Sequence, residues 1–552
     1  MTSDADSGSG NPQSAAESSS VTDAGVAVHL SRLNLSAGDR PLLVNACAAF
    51  PAGKVSLIVG CSGVGKSLLL KMIAGLIDRN EGAIEWTGDV ERHQSKAGTP
   101  AAETVVDSSV AVVFQNYALF DELSPSENVE IALDHANAQA ESQTPVRERA
   151  NALLGQLGVP SDRPTSVLSG GQQQRLAIAR AIAMETDVVL YDEPTSGLDA
   201  ATAERVAELI QTTQQQFQRT SIIVTHDFGA LQAIADHICV LNHVSKTLEE
   251  VPRGQWDQLR TAIGEPPSVE TKPHESSDRF TGLIRPLTRF LGRSGQGVEE
   301  VICLPWSLLP IWTSLRWGWR NTCHYLGLVA GPSACIYIMV AGVIIGFVAQ
   351  DFIFRYLPFR QYTEPLLIEN LLHATGFSLY RFLVPILCSI LIAARSGAAV
   401  AADVGSKVYG NQIDAMKTIG MDPRRSLRTP ILYAFLVGTP LLTLLSYVAA
   451  SLTAAIAFLA THADEGIAFW DAHFHKELRD PASFFFHGTG WLIAKLLCCA
   501  VGIGMIAWNC GSTPKKSGPE ISTGVTRSIL WSTLLVLAVH FVFSLLEFKA
   551  PQ

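Results

Sequence analysis

The feature that most constrains this chain is an imbalance: the apolar runs long enough to cross a lipid bilayer all fall in its second half. Up to about Val301, polar and apolar residues alternate as in an ordinary soluble protein. Beyond it come apolar stretches of roughly 20 residues, the length a helix needs to cross a ~30 Å hydrocarbon layer. Five such spans are expected, at 326–350, 370–401, 429–460, 485–509 and 523–546. With 552 residues the chain is also too long for one core. A soluble half followed by a membrane half is the expectation.

The first 25 residues are Ser, Gly, Ala and Asp without an apolar run, which reads as a disordered tail and not a signal peptide. The soluble half is therefore expected in the cytoplasm. Residues 263–300 turn to Pro, Ser and charge, a linker composition. Residues 301–320 carry Trp306, Trp312, Trp317 and Trp319 with Arg316 and Arg320, as in an amphipathic helix at a membrane interface. Lys407, Lys417, Arg424, Arg425 and Arg428 mark 402–428 as cytoplasmic, with Lys515 and Lys516 doing the same for 510–522. Asp464, Glu465, Asp471, Glu477 and Asp480 lie on the opposite side, and an odd number of spans puts the C-terminus outside. A net charge of −10 argues against a nucleic-acid partner. The ten cysteines contain no C-x-x-C pair and read as small hydrophobes in a reduced compartment.

The soluble half carries nucleotide chemistry. Val55–Val59 is an apolar, strand-like run that leads into Gly60-Cys61-Ser62-Gly63-Val64-Gly65-Lys66-Ser67, with a helical pattern from Lys66. This fits G-x-x-x-x-G-K-[ST], in which glycines let backbone N–H groups converge on phosphate. Lys66 is expected on the β- and γ-phosphates and Ser67 on Mg²⁺. Val188–Tyr191 is a second apolar strand, ending in Asp192 and Glu193. Asp192 is placed to hold the metal and Glu193 to orient or deprotonate the attacking water. Val110–Phe114 and Ile222–Thr225 are further strand candidates, and 89–108 reads as a polar surface loop.

Leu168-Ser169-Gly170-Gly171-Gln172 adds two glycines and a serine at a helix start, a second cluster of amides facing phosphate. With this segment the sequence resembles the ABC ATPase family, whose signature motif it matches. The resemblance implies ATP and Mg²⁺ as cofactors. It brings Gln115 as the Q-loop glutamine, beside Ser67 and Asp192 at the metal. Ser196-Gly197-Leu198-Asp199 becomes the D-loop and His226 the switch histidine at the γ-phosphate. It also implies that the signature of one chain closes on the P-loop of a second copy, giving a homodimer. One departure stands out: Ala37, in Leu35-Ser36-Ala37-Gly38-Asp39-Arg40, sits where the family commonly stacks an aromatic on adenine.

In the second half, small residues from Ala393 to Gly405 permit close helix packing in lipid. Ile413, Met416 and Ile419 then form a short amphipathic helix stopped by Gly420 and Pro423. This run, with Gln412-Ile413-Asp414-Ala415-Met416 and Ile419-Gly420-Met421-Asp422-Pro423, resembles the permeases of Mla-type phospholipid transporters, which work with MCE-domain proteins. The expected architecture is an α/β P-loop ABC ATPase domain over 26–262, then an all-α transmembrane permease domain of about five helices over 321–548. The expected function is ATP-driven lipid transport at a bacterial inner membrane, with an MCE-type partner and lipid as substrate. An ABC pump for another cargo and a regulatory ATPase that moves nothing are the alternatives. Arg381, Arg395 and Lys495, in or near the spans, are candidates for an anionic headgroup, against snorkelling to an interface or pairing with a carboxylate such as Asp403.

Overall fold

The computed structural model describes residues 26–259 and 309–549, except 39, 82–83, 96–102, 106–109, 137–143, 227–228, 257–258, 310–311, 313, 357–367, 480–484 and 516. The chain divides into two units, Met1–Val269 and Glu270–Gln552. The tail 1–25, the linker 263–300 and most of 301–313 lie outside the described residues.

The first unit is built on a six-stranded sheet of order β11-β10-β3-β9-β8-β7. These strands are β3 (Val55–Val59), β7 (Val110–Val113), β8 (Val188–Asp192), β9 (Thr220–Thr225), β10 (His237–Leu241) and β11 (Leu248–Glu250). Every residue of β3, β7, β8 and β9 is buried, which is why these strands read as unbroken apolar runs instead of alternating ones. Helices α1 (Lys66–Ile73), α2 (Pro125–Ala136), α3 (Val146–Gln156), α4 (Gly170–Ala183) and α5 (Ala200–Phe217) complete the layers. Parallel pairing aligns Val59 with Thr225, Asp192 with Val224 and Val113 with Tyr191. The carboxyl ends of four strands thus meet at one edge, where ligands bind in sheets of this kind.

A second sheet joins β1 (Val26–Ala37), β2 (Arg40–Phe50), β4 (Asn80–Glu81), β5 (Ile84–Ser95) and β6 (Glu103–Val105). Here the expectation of a surface loop over 89–108 is corrected. Residues 89–95 continue β5, which pairs antiparallel with β1 from Ile84 opposite Ala37 to Gln94 opposite Val26. Gly88, at φ 109°, is packed so closely that a Cβ would lie 2.7 Å from Arg32 O.

The second unit is helical. Its elements are α6 (Leu315–Ala330), α7 (Pro332–Tyr356), α8 (Ile368–Ser378), α9 (Val384–Ile392), α10 (Ala398–Tyr409), α11 (Gln412–Thr418), α12 (Thr429–Thr461), α13 (Ile467–Phe474), α14 (Thr489–Ser512) and α15 (Gly518–Lys549). Single π turns at 379–383 and 393–397 join α8, α9 and α10 into one continuous span. Among the described residues, five helices are long and apolar enough to cross a membrane: Leu315–Phe352, Ile368–Tyr409, Arg424–Thr461, Thr489–Ser512 and Gly518–Glu547.

Small residues set the helix contacts. A Cβ on Gly342 or Gly346 would run into the backbone of Ser446 or Ala450, so α7 and α12 meet at backbone distance. The break between α6 and α7 falls at Gly331 and Pro332, where Pro332 has no N–H to offer Leu328 O. Arg395 Nη1 donates to Leu328 O at 3.1 Å and Ser396 Oγ to Val329 O at 2.8 Å, so the neighbouring span satisfies carbonyls at the end of α6.

Candidate functional site

The phosphate-binding loop leaves β3 at Gly60 and enters α1 at Lys66, as its glycines allow. Gly63 and Gly65 take φ of 79° and 105°, a region side chains resist. A Cβ on Gly60 would meet Leu241 O at 3.0 Å. Lys66 is 5% exposed and donates to Gly60 O and Cys61 O, each at 2.9 Å. Burial pushes its ammonium below the usual value, with Glu193 and Asp192 opposing.

Around this lysine the strand ends deliver the remaining groups. Ser67 Oγ donates to Asp192 Oδ1 at 2.9 Å, pairing two hard oxygen ligands suited to Mg²⁺. Burial pushes Asp192 above the ordinary carboxylate range, and the Ser67 hydrogen bond pulls it back. Glu193, with φ 48°, is turned out of the strand and anchored by its N–H to Val224 O at 2.8 Å. Its carboxylate is a hub. Oε1 is 3.9 Å from Lys66 Nζ, while Oε2 is 2.9 Å from His226 Nδ1 and accepts from Gln115 Nε2 at 3.5 Å. Lys66, Ser67, Gln115, Asp192, Glu193 and His226 are therefore one connected group.

The signature residues are organised separately. Ser169 caps α4: its Oγ accepts from Gln172 N at 3.4 Å, and Gln172 Oε1 accepts from Ser169 N at 3.0 Å. Asp199 caps α5, accepting from Thr202 N at 2.9 Å and Thr202 Oγ1 at 2.8 Å. These bonds, the backbone one first, hold its carboxyl below the ordinary range. Ser169, Gly170, Gly171, Gly197 and Asp199 line a groove of about 590 Å³ that shares no residue with the Lys66 group. One chain thus presents a glycine loop with the Glu193 carboxylate beside its lysine, and elsewhere a capped helix N-terminus in an open groove.

A family profile described as "ABC transporter" matches residues 43–196, across the cradle, the signature and the acidic strand end. The Sulfate/thiosulfate import ATP-binding protein CysA of Pseudomonas putida is 35% identical over 245 residues, 41% of this chain and 71% of that protein. The chain belongs to the ABC transporter family. The profile "Permease MlaE" matches residues 328–546, so this ABC protein carries its ATPase and an MlaE permease domain in one polypeptide. The Fe(3+) ions import ATP-binding protein FbpC of Escherichia coli is 34% identical over 207 residues, 37% of this chain and 56% of that protein. The chain spans little more than half the length of the first such relatives, 56% and 60%. A solved dimeric cassette in a post-hydrolysis state with ADP and Pi aligns with 41% of this chain and 97% of its own, at 28% identity and TM-score 0.34.

In the permease domain the suggested pairing with Asp403 is corrected. Asp403 accepts from Lys407, one helical turn on, at 2.9 Å and from Tyr325 OH at 3.0 Å. Lys407, expected in a cytoplasmic loop, is buried on α10 by that pair. Arg381 and Lys495 instead converge on Glu547, which the sequence reading missed. Arg381 Nη1 lies 2.7 Å and Lys495 Nζ 3.8 Å from its carboxylate, all three side chains being under 10% exposed. A glutamate at the far end of the last apolar helix, away from Glu520 in its first turn, was the available signal, since buried cations need a partner.

Proposed function

We propose that this chain is one half of an ATP-driven lipid pump of a bacterial inner membrane, with phospholipid as cargo. Two copies pair so that the Ser169–Gln172 groove of each closes over the Lys66 cradle of the other. The observation that carries the reading is the division of one chain into a connected Lys66 group and a separate signature groove, followed by an MlaE domain.

Within each site Lys66 and the N–H groups of 61–67 hold the phosphates, and Ser67, Asp192 and Gln115 surround the metal. Bound Mg²⁺ neutralises charge on the phosphate oxygens. Glu193, with an oxygen 2.9 Å from His226, takes the proton of the attacking water, while His226 steadies the γ-phosphate. The short helix α11 buries Met416 and is capped by the buried Ile419 ahead of Gly420, φ 83°, and it is the coupling element in this reading. The ATPase faces the cytoplasm and an MCE-type protein exchanges lipid on the other side. The substrates in the relatives' names belong to ATP-binding proteins and speak to the engine, not to the cargo.

The test is reconstitution of the purified chain in vesicles containing labelled phospholipid. ATP is expected to drive lipid movement, and Glu193→Gln to lower turnover about 100-fold or more with ATP still bound. Hydrolysis without lipid movement would replace cargo transport by a regulatory role. An unchanged Glu193→Gln would remove the mechanism.

A further inference from the structure

Between β7 and α2 the backbone makes a turn that side chains resist. Tyr117 and Ala118 both take positive φ, 61° and 49°. Two such residues in succession persist only where their surroundings hold them, and strain of this kind gathers at functional sites.

What holds them is Arg180, from inside α4. Its Nη1 donates to Ala118 O at 2.5 Å and its Nη2 to Tyr117 O at 3.1 Å. The guanidinium also lies over the Phe120 ring, 5.4 Å from its centroid. Arg180 is 2% exposed, and burial pushes it down to about 10. A cation is thus kept in the core to hold two consecutive carbonyls of one turn.

Both ends of this contact reach the machinery. Two residues before Tyr117 is Gln115, whose Nε2 is 3.5 Å from Glu193 Oε2. At the other end, α4 begins at Gly170 behind the Ser169 cap, about 15 Å along the helix from Arg180 at 1.5 Å per residue. The Tyr117 hydroxyl returns to the same helix, 3.6 Å from where a Cβ on Gly170 would stand. The turn is fastened to α4 at Arg180 and lies close to it again at Gly170, so Gln115 cannot shift far unless α4 follows or the two hydrogen bonds break.

We propose that Arg180 is a positioning residue for ATP hydrolysis, holding from within the signature helix the strained turn that aims Gln115 at Glu193. One element then sets the placement of both the glutamine and the signature serine. The inference rests on the ATPase reading above.

The experiment compares wild type, Arg180→Lys, Ala118→Gly and the double variant as full-length protein in detergent. It measures kcat and KM for ATP, the affinity for a fluorescent ATP analogue, and the thermal midpoint. Lysine keeps the charge but loses the two-pronged geometry. Arg180→Lys is expected to lower kcat at least tenfold, with analogue affinity within twofold because Lys66 and Ser67 are untouched. Glycine takes positive φ without help, so the double variant is expected to regain at least threefold in kcat. A wild-type kcat in Arg180→Lys would overturn the proposal, as would kcat and affinity falling together or a double variant without recovery. Where Arg180→Lys does not fold, the double variant is judged against Ala118→Gly alone, with the same tenfold limit reduced to threefold. A wild type unable to hydrolyse ATP would remove the functional reading as well. Normal variants beside an active wild type would remove only the clamp.

Discussion

Replacing Glu547 by Gln separates a packing role from an electrostatic one, because shape and one acceptor oxygen survive while the charge does not. In the native unit the carboxylate is 2% exposed and faces Arg381, 9% exposed, at 2.7 Å and Lys495, 1% exposed, at 3.8 Å. Removing one partner of a buried pair typically costs about 3–5 kcal/mol, because the cation left behind has lost its water without compensation. Two cations would be left here, yet both keep other acceptors. Arg381 Nη2 donates to His487 O at 2.9 Å, and Lys495 Nζ donates to Arg381 O at 2.7 Å. The loss is therefore placed at the lower end, about 3 kcal/mol. For a unit of this size that corresponds to a fall of about 6–12 °C in the thermal midpoint. The assay is thermal unfolding of the full chain in detergent, followed by tryptophan fluorescence. Adding Lys495→Met removes one of the stranded cations, so the double variant is expected to recover part of the loss. A midpoint for Glu547→Gln within 2 °C of wild type, or strictly additive damage in the double variant, would refute the reasoning.

Gly488→Ala tests the same cluster from the backbone. Gly488 has φ 83°, and a Cβ there would run into the Arg381 guanidinium, so a destabilisation of about 1–3 kcal/mol is expected. Gly490→Ala, where the added Cβ meets nothing within 4 Å, is the control, and equal midpoints for the two variants would count against the account. The metal site predicts a pH effect. Burial raises Asp192 above its usual 3.8, so the folded state without metal binds a proton that the unfolded chain has released. That contribution to stability is lost as pH rises from 3.8 through the raised value. Mg²⁺ needs the carboxylate, so its affinity is expected to climb across the same window, with proton release on binding. Titration calorimetry in buffers of different ionisation enthalpy measures this, and a flat affinity through that window would contradict it.

The strand, glycine turn and helix start around Lys66 were legible because they are written locally. A buried strand, a glycine turn and a helix start must be contiguous for amides to converge on phosphate, so Gly60–Ser67 shows itself in eight letters. The strand over 89–95 was hidden for the opposite reason. Alternate residues of β5 from Ile84 to Arg92 are partly buried, but the last of those positions is an arginine. Arg92 reaches back to Ile73 O at 3.0 Å, which a hydropathy pattern reads as loop.

Arg180 and Glu547 were hidden by distance along the chain. Arg180 closes on a turn 62 residues earlier, and Glu547 on an arginine 166 residues earlier. Apolar surroundings imply that Arg381 and Lys495 have a counter-charge, since the cost of an unpaired ion in lipid is too high. They do not say which acid supplies it. Asp403 was nearer in sequence to Arg381, but it is taken by Lys407 at i+4 on the same helix face. With that acid spent, the cations near the other end of the spans require one from another helix, and Glu547 closes the cluster. Local rules here decide which charges are unavailable, and that elimination leaves the long-range pair.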